Sequence, residues 1–478
     1  MLVLSLSFIV ISMMICYFFK NIQLQYFISL LTALIHLIFS FCFFMGWYDP
    51  EIFFVSDDSL SRLFLFVVSN VYFWVVLISL SFLKKSSASN GKKYYFLLLN
   101  FYLLANTSVI LSNSFGVYWV SIEATTLSIA PLIYYYRSEE SLEAMWKYLF
   151  IASVGVALAF IGILFFSLAA EGAAFESSDL FFSDFVKHAK QLNPIWLKAG
   201  FIFIFVGLST KIGIAPAHSA DIDATSNSPS PIAALMSGSL RVTALVGLLR
   251  VLQIVQSTPI YGFARILLIS GGLLSLFFTF IYMFYPKNFK RLLAYSSVEH
   301  LGLIVIGIGI GGLAFIGAFY HIVYNSINKT VLFFSAGNIH QKYQTRKIEK
   351  VSDILSFIPI TGWLFLISFF AISGIPPFGI FFSELTIFEG ILFSDKSWVL
   401  GPVLFFLLFI FINMARPLFK MLYRKDQSLA LEPGREKLTF IHIAAIALLL
   451  LLTLLALFSP DILQKRIFTI LNDFGMRL

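Results

Sequence analysis

The chain has 478 residues, of which 59% are hydrophobic and only 12% charged, with a mean hydropathy of +0.89; soluble domains sit nearer half apolar and a quarter charged. This excludes an ordinary soluble enzyme and fits a chain that crosses a bilayer repeatedly, because a charge at the bilayer centre costs roughly 2.5–3.5 kcal/mol. The net charge of +8 does not indicate a nucleic-acid surface, since the lysines and arginines fall in short loops between apolar runs.

Fourteen apolar runs of about 20 residues, enough to span roughly 30 Å of hydrocarbon, lie at about 1–19, 24–46, 60–83, 94–112, 115–136, 145–170, 197–216, 231–255, 262–285, 292–312, 314–337, 357–390, 398–422 and 438–458. They predict an all-α polytopic membrane protein with about 14 transmembrane helices. The first run lacks a basic n-region and a small-residue cleavage site, so it reads as a membrane helix and not as a signal peptide. Cys16 and Cys42 stand in separate runs without CxxC spacing, and neither a metal site nor a cofactor is expected from them.

The loop charges set an orientation. Lys84, Lys85, Lys92 and Lys93 follow the third run; Lys287, Lys290 and Arg291 the ninth; Lys342, Arg346, Lys347 and Lys350 the eleventh; Lys420, Arg424, Lys425, Arg435 and Lys437 the thirteenth. All fall on one face, which the positive-inside rule makes the cytoplasm. Asp49, Glu51, Asp57, Asp58 and the segment from Glu171 to Pro194 fall on the other, and both termini are expected there. Such short loops leave no room for a soluble redox domain.

The charges inside the runs carry the functional signal: Glu123, Lys211, Arg241, Glu299 with His300, His321 with Lys329, Glu384 and Arg416. Buried ion pairs are commonly no more stable than apolar replacements, so a succession of acids, bases and imidazoles points to a hydrated path for ions. Burial and opposite neighbours shift the proton affinity of lysine and glutamate in opposing senses, which makes alternating acids and bases a switchable relay. Imidazole suits the intermediate positions. His218 and His340 stand near loops, and His340 is expected to be solvated.

Two helices are expected to break. Gly374, Pro376, Pro377 and Gly379 interrupt the twelfth run just before Glu384, and Pro216 follows Lys211 in the seventh. Proline removes a backbone donor and clashes with the preceding turn, and irregular backbone at membrane depth is tolerated only inside protein or beside a cavity. Runs 4–8 and 9–13 also correspond at offsets of about 175 residues: Glu123 with Glu299/His300, Lys211 with Glu384, Arg241 with Arg416. Five is odd, so the two units are expected to be inverted repeats, with broken helices 7 and 12 at matching places. The division is a three-helix segment (1–93), a first repeat (94–256), a second repeat (257–425), and a C-terminal helix and tail (426–478). Gly307, Gly309 and Gly312 match GxGxxG but end a membrane helix, without the strand a dinucleotide site needs.

The segments WVSIEATTLSIAPLIYYYRSEESLEAMWKYL, RLLAYSSVEHLGLI, NKTVLFFSAGNI and SGIPPFGIFFSELTIF resemble the antiporter-like membrane subunits shared by respiratory complex I, multisubunit sodium/proton antiporters and membrane-bound hydrogenases, most closely the hydrogenase-4 component F branch. The resemblance implies that Glu123 is the helix-5 carboxylate, Lys211 its partner lysine, Lys329 the central lysine and Glu384 the terminal exchange residue. It makes His300 and His321 intermediates. It further implies a proton-translocating, non-redox subunit of a redox-driven complex in a prokaryotic inner membrane, partnered by other membrane subunits, a peripheral redox arm and lipid. The alternatives are a sodium/proton antiporter subunit and a non-pumping anchor for a hydrogenase. The sequence departs from the family pattern in three places: no tryptophan follows His218, Arg241 precedes the helix-8 lysine position at Val242, and Asn325 replaces a second histidine.

Overall fold

The computed structural model describes residues 1–49, 55–85, 92–171, 180–424, 436–458 and 460–476. Its regular structure is helical. Among the described residues the strand-like pairings are three isolated bridges, Val55–Ser112, Ser114–Phe181 and Asn288–Lys347.

In chain order the helices are α1 (Leu2–Phe18), α2 (Ile22–Met45), α3 (Ser59–Lys85), α4 (Tyr95–Leu111), α5 (Phe115–Ile133), α6 (Glu139–Ala169), α7 (Phe182–Lys187) and α8 (Pro194–Ile212). Then come α9 (Ser219–Asn227), α10 (Ser230–Leu235), α11 (Arg241–Val255), α12 (Tyr261–Tyr282), α13 (Phe289–Ile310) and α14 (Gly312–Tyr343). Last are α15 (Ile354–Phe357), α16 (Pro359–Ile372), α17 (Gly379–Leu392), α18 (Leu400–Tyr423), α19 (Phe440–Phe458) and α20 (Asp461–Asp473). Among the described residues ten helical spans are long and apolar enough to cross a membrane, so the chain is a multi-pass membrane protein. The other apolar runs hold the shorter helices α1, α4 and α16, the second half-helix α17, and the 32-residue α14, which carries His321, Asn325, Asn328 and Lys329.

Local chemistry sets several boundaries. Asn21, Asn193 and Asn288 accept backbone N–H bonds at the starts of α2, α8 and α13. Ser138 and Ser141 cap α6 reciprocally, satisfying donors a helix start leaves free. α10 passes through a π-helical segment, Met236–Leu240, into α11. The two expected breaks are present: α8 stops at Gly213 and the chain resumes helically at Ser219, and α16 and α17 are separated by residues 373–378. The polar stretch after His218 is itself largely helical, as α9.

α6 and α8 pack through glycines. A Cβ on Gly155 would lie 2.7 Å from the Gly207 carbonyl, and one on Gly162 2.8 Å from that of Gly200. Small residues let membrane helices approach closely, and this approach seats α8, and hence Lys211, beside α6.

Several segments expected on the same face contact one another. On the basic face Phe289 N–H donates to the Arg346 carbonyl (3.1 Å) and Ile348 N–H to that of Lys287 (3.0 Å). On the other face Arg62 pairs with Asp49 and with Asp57 (2.6 Å), and Arg250 with Asp58 (2.8 Å). Phe115 N–H there donates to the Leu180 carbonyl (3.0 Å), and Gln256 Nε2 donates to the backbone carbonyl of Asp473 (3.2 Å). Glu51, Lys425, Arg435 and residues 172–179 lie outside the described residues. Lys290 departs from expectation: it is not a loop cation but a buried side chain in the first turn of α13, donating to the Ser228 carbonyl at 2.6 Å.

Candidate functional site

The first cluster joins α5, α6 and α8. Glu123, half-buried on α5, accepts hydrogen bonds from Ser153 Oγ of α6 at 2.6 Å and from Thr126 Oγ1 at 3.4 Å. Lys211, fully buried in the last turn of α8, donates from Nζ to the Ile122 carbonyl at 3.2 Å, to Thr125 Oγ1 at 3.1 Å and closely to Thr126 Oγ1. Its Nζ lies 5.8 Å from the Tyr148 ring centroid. The Thr126 hydroxyl therefore accepts from the lysine and donates to the glutamate, linking the two without a direct ion pair.

The break after α8 makes the second part. Gly213 takes φ +81°, and a Cβ there would stand 3.0 Å from Asp221 Oδ2 and 3.4 Å from Arg241 Nε. A left-handed backbone and a missing side chain thus make room for an ion pair between Asp221 of α9 and Arg241 of α11, both fully buried. Arg241 Nη2 also donates to Thr225 Oγ1 at 3.2 Å, while its Nε and Nη1 have no protein partner among the described residues. His218 is buried against the rings of Phe278, Tyr282 and Tyr295. Pro216 is exposed in the break.

The third part joins α13, α14 and α17. Lys329 Nζ donates to Ser296 Oγ at 2.5 Å and to the Leu293 carbonyl at 3.2 Å, repeating on α13 the carbonyl-and-hydroxyl seat that Lys211 has on α5. Glu299 follows Ser296 by one turn. His300 Nδ1 and His321 Nε2 are 3.0 Å apart, and His321 Nδ1 is 3.0 Å from Ser383 Oγ. Glu384 is half-buried, its carboxyl lying against Gly374, whose φ is +64° and where a Cβ would collide with it. Gly374, Pro376 and Pro377 fall in the non-helical segment, and Gly379 begins α17 against the Tyr324 ring.

These parts are continuous electrostatically. Lys211 is within Coulombic reach of Glu123 and Asp221, Asp221 of Arg241, Arg241 of Lys329, Lys329 of Glu299, and Glu299 of Glu384. Of the sequence-predicted residues, Glu123, Lys211, Arg241, Glu299, Lys329 and Glu384 belong to this succession, and His300 and His321 lie within reach of Lys329. Arg416 does not: it is exposed on α18. Lys211 and Glu384 are not equivalent about their breaks, since the lysine precedes one and the glutamate follows the other. Sequence reasoning passed over Thr126, Ser153, Ser296 and Ser383, whose hydroxyls are ordinary in apolar helices, and gave no role to Asp221.

On the basic face a cleft of about 790 Å³ is walled by Glu143, Lys147, Asp223, Arg291, His340 and Arg346, among others. Asp223 pairs across it with Arg291 at 3.1 Å and Lys147 at 3.6 Å. Tyr282 and Tyr295, which flank His218, form part of its lining. His340 is half-buried, its ring 6.2 Å from that of Tyr136.

Residues 112–410, which include every cluster from Glu123 to Glu384, match the family described as NADH:quinone oxidoreductase/Mrp antiporter, TM. The chain belongs to this family. Among curated antiporter-like relatives it is 34% identical over 372 residues to a hydrogenase-4 component F homolog from Methylacidiphilum infernorum, covering 75% of this chain and 78% of that one. In fold it is similar to a chain of the membrane-bound sulfane sulfur reductase, an archaeal respiratory membrane complex, with a TM-score of 0.88 at 21% identity over 99% of this chain and 97% of that one. It is also similar to a chain of respiratory complex I from Thermus thermophilus, with a TM-score of 0.78 at 20% identity over 96% and 98%. The resemblance read from the four sequence segments is thus borne out at the level of the family.

Proposed function

We propose that this antiporter-like chain is a proton-translocating membrane subunit of a multisubunit, redox-driven complex, hydrogenase-4-like or NADH-quinone oxidoreductase-like, and carries no redox centre itself. In this reading it crosses a prokaryotic cytoplasmic membrane about 14 times, with the basic face inside. Residues 94–256 and 257–425 are two inverted five-helix repeats, flanked by 1–93 and 426–478. Other membrane subunits and a peripheral redox arm are its partners.

The observation that carries the proposal is the succession of buried and half-buried charges from Glu123 to Glu384, in which both lysines are held by carbonyls and hydroxyls and, among the described residues, not by carboxylates. A lysine locked in an ion pair with a carboxylate is biased toward its charged form. A lysine separated from its acid by one hydroxyl is a hop away from it, so a shift in either neighbour changes which group holds the proton. Glu123, Lys211, His218, Arg241, Glu299, His300, His321, Lys329 and Glu384 are the proposed path, with Arg241 as a fixed charge because guanidinium does not release its proton. The cleft beside Asp223 and the rings over His218 are the proposed inlet on the basic side.

The test is proton uptake by the whole complex in sealed vesicles, driven by its own electron donor. Lys211→Ala and Glu384→Gln are expected to abolish uptake while the complex still assembles. Undiminished uptake in both variants would support a non-pumping anchor, and sodium-dependent uptake without a donor would support sodium/proton exchange.

A further inference from the structure

His300, His321 and Glu384 come from three helices, α13, α14 and α17, yet one ligand atom from each falls within 4.8 Å of the other two. No sequence spacing announces this, because the residues meet only through the packing of α14 against its neighbours. We infer that these three side chains bind a divalent transition-metal ion, zinc being the best chemical match, and that an ion held there closes the proton path.

The geometry is near that of a zinc site. With zinc–nitrogen bonds of about 2.0–2.1 Å, two ligands of a tetrahedral ion stand about 3.3 Å apart. The two imidazole nitrogens are already 3.0 Å apart, so the rings need to open by only a few tenths of an ångström. The carboxylate must close in by about 1.5 Å by the same reckoning, a movement the torsions of a glutamate side chain supply. Three protein ligands would leave one position for water.

The tautomer of His321 suits it. Ser383 Oγ donates its own proton to the Ile380 carbonyl at 2.9 Å, so it accepts from His321 Nδ1–H. That leaves the lone pair of His321 Nε2 facing His300 Nδ1. Such an outer partner fixes the orientation of a metal-binding imidazole. For His300 to bind as well, its proton moves from Nδ1 to Nε2, and the ring stays neutral. A metal on these nitrogens then occupies the atoms that His300 and His321 use toward each other. Two imidazoles and a carboxylate favour zinc-type ions over magnesium or calcium, which take oxygen ligands.

The site is independent of the transport mechanism, whereas its blocking effect rests on the proposed proton path, and the experiment separates them. The purified complex is stripped with chelator, titrated with zinc chloride, and its bound zinc counted by mass spectrometry, with cobalt(II) absorption reporting tetrahedral coordination. Wild type is expected to hold one more equivalent than His300→Gln or Glu384→Gln. Ser383→Ala, which keeps all three ligands and the fold, is expected to bind the ion roughly 10–100-fold more weakly. Equal zinc content and affinity in wild type and all three variants would overturn the site. Bound zinc that leaves donor-driven proton uptake undiminished would overturn the blocking role, and with it the path through His300 and His321, while the site stands.

Discussion

Asp221 and Arg241 offer the sharpest energetic test. Both are fully buried, and Gly213 shapes the space they share. Removing one partner leaves the other as an uncompensated buried charge, which typically costs about 3–5 kcal/mol, whereas replacing a whole buried pair by apolar groups is often neutral or stabilising. Arg241 is poorly placed to find a substitute, because among the described residues the one other side chain that accepts from it is Thr225. Asp221→Leu and Arg241→Met are each expected to destabilise the protein by about 3–5 kcal/mol. The double variant should recover to within about 1 kcal/mol of wild type, a coupling nearly as large as the two single effects added together. Denaturant unfolding of the purified protein in detergent measures all four forms. A double variant whose loss equals the sum of the singles would refute the claim that the pair is one energetic unit.

The link between Lys211 and Glu123 predicts that Thr126→Val slows proton uptake by roughly 10–100-fold, the equivalent of one hydrogen bond to a charged group at about 1.5–3 kcal/mol. Thr126→Ser should be near normal, and a Val variant as fast as wild type would exclude the hydroxyl from the path. At the other end of the chain, burial and the nearby Asp58 raise Asp473 from its ordinary 3.8 to about 6. A raised carboxyl favours folding below its unfolded value and loses that contribution as pH climbs through the folded one. Protection of α20 from hydrogen exchange is therefore expected to fall between about pH 4 and 6. Asp473→Asn should remove that step; a step that persists in the variant assigns it to another group.

How much could be read in advance follows from the physics of each signal. Apolar runs locate helices in such a chain because lipid punishes charge, and among the described residues ten helical spans are long and apolar enough to cross a membrane. The breaks at Pro216 and at Pro376–Pro377 were legible because proline cannot continue the hydrogen-bond ladder. Illegible were the partners that make the charges tolerable. Thr126, Ser296 and Ser383 look like any small polar residue in a membrane helix, and only the approach of a second helix gives their hydroxyls a task. Lys290 was misplaced for the converse reason: a cation at the edge of a run reads as topogenic, and nothing local reveals that the end of α9 receives its ammonium. Arg416 shows the limit of internal repetition. It keeps the sequence offset from Arg241 but stands exposed on α18, because α18 turns that position away from the axis.

Arg241 stands one residue before Val242, where the resemblance implies a lysine, and the structure gives this arginine a buried partner. An arginine here sets a permanent positive charge within reach of Lys329. Two cations side by side in a dry interior would repel each other. Asp221 pairs with Arg241 directly, so the guanidinium is already partnered. Asp221 also lies within reach of Lys211, as Glu123 does. The departure therefore does not cut the first half of the succession from the second. In the proposed path the pair is a fixed one, its negative member within reach of Lys211 and its positive member within reach of Lys329. Any rearrangement of the α8–α9 break that moves Asp221 alters the field at both lysines at once.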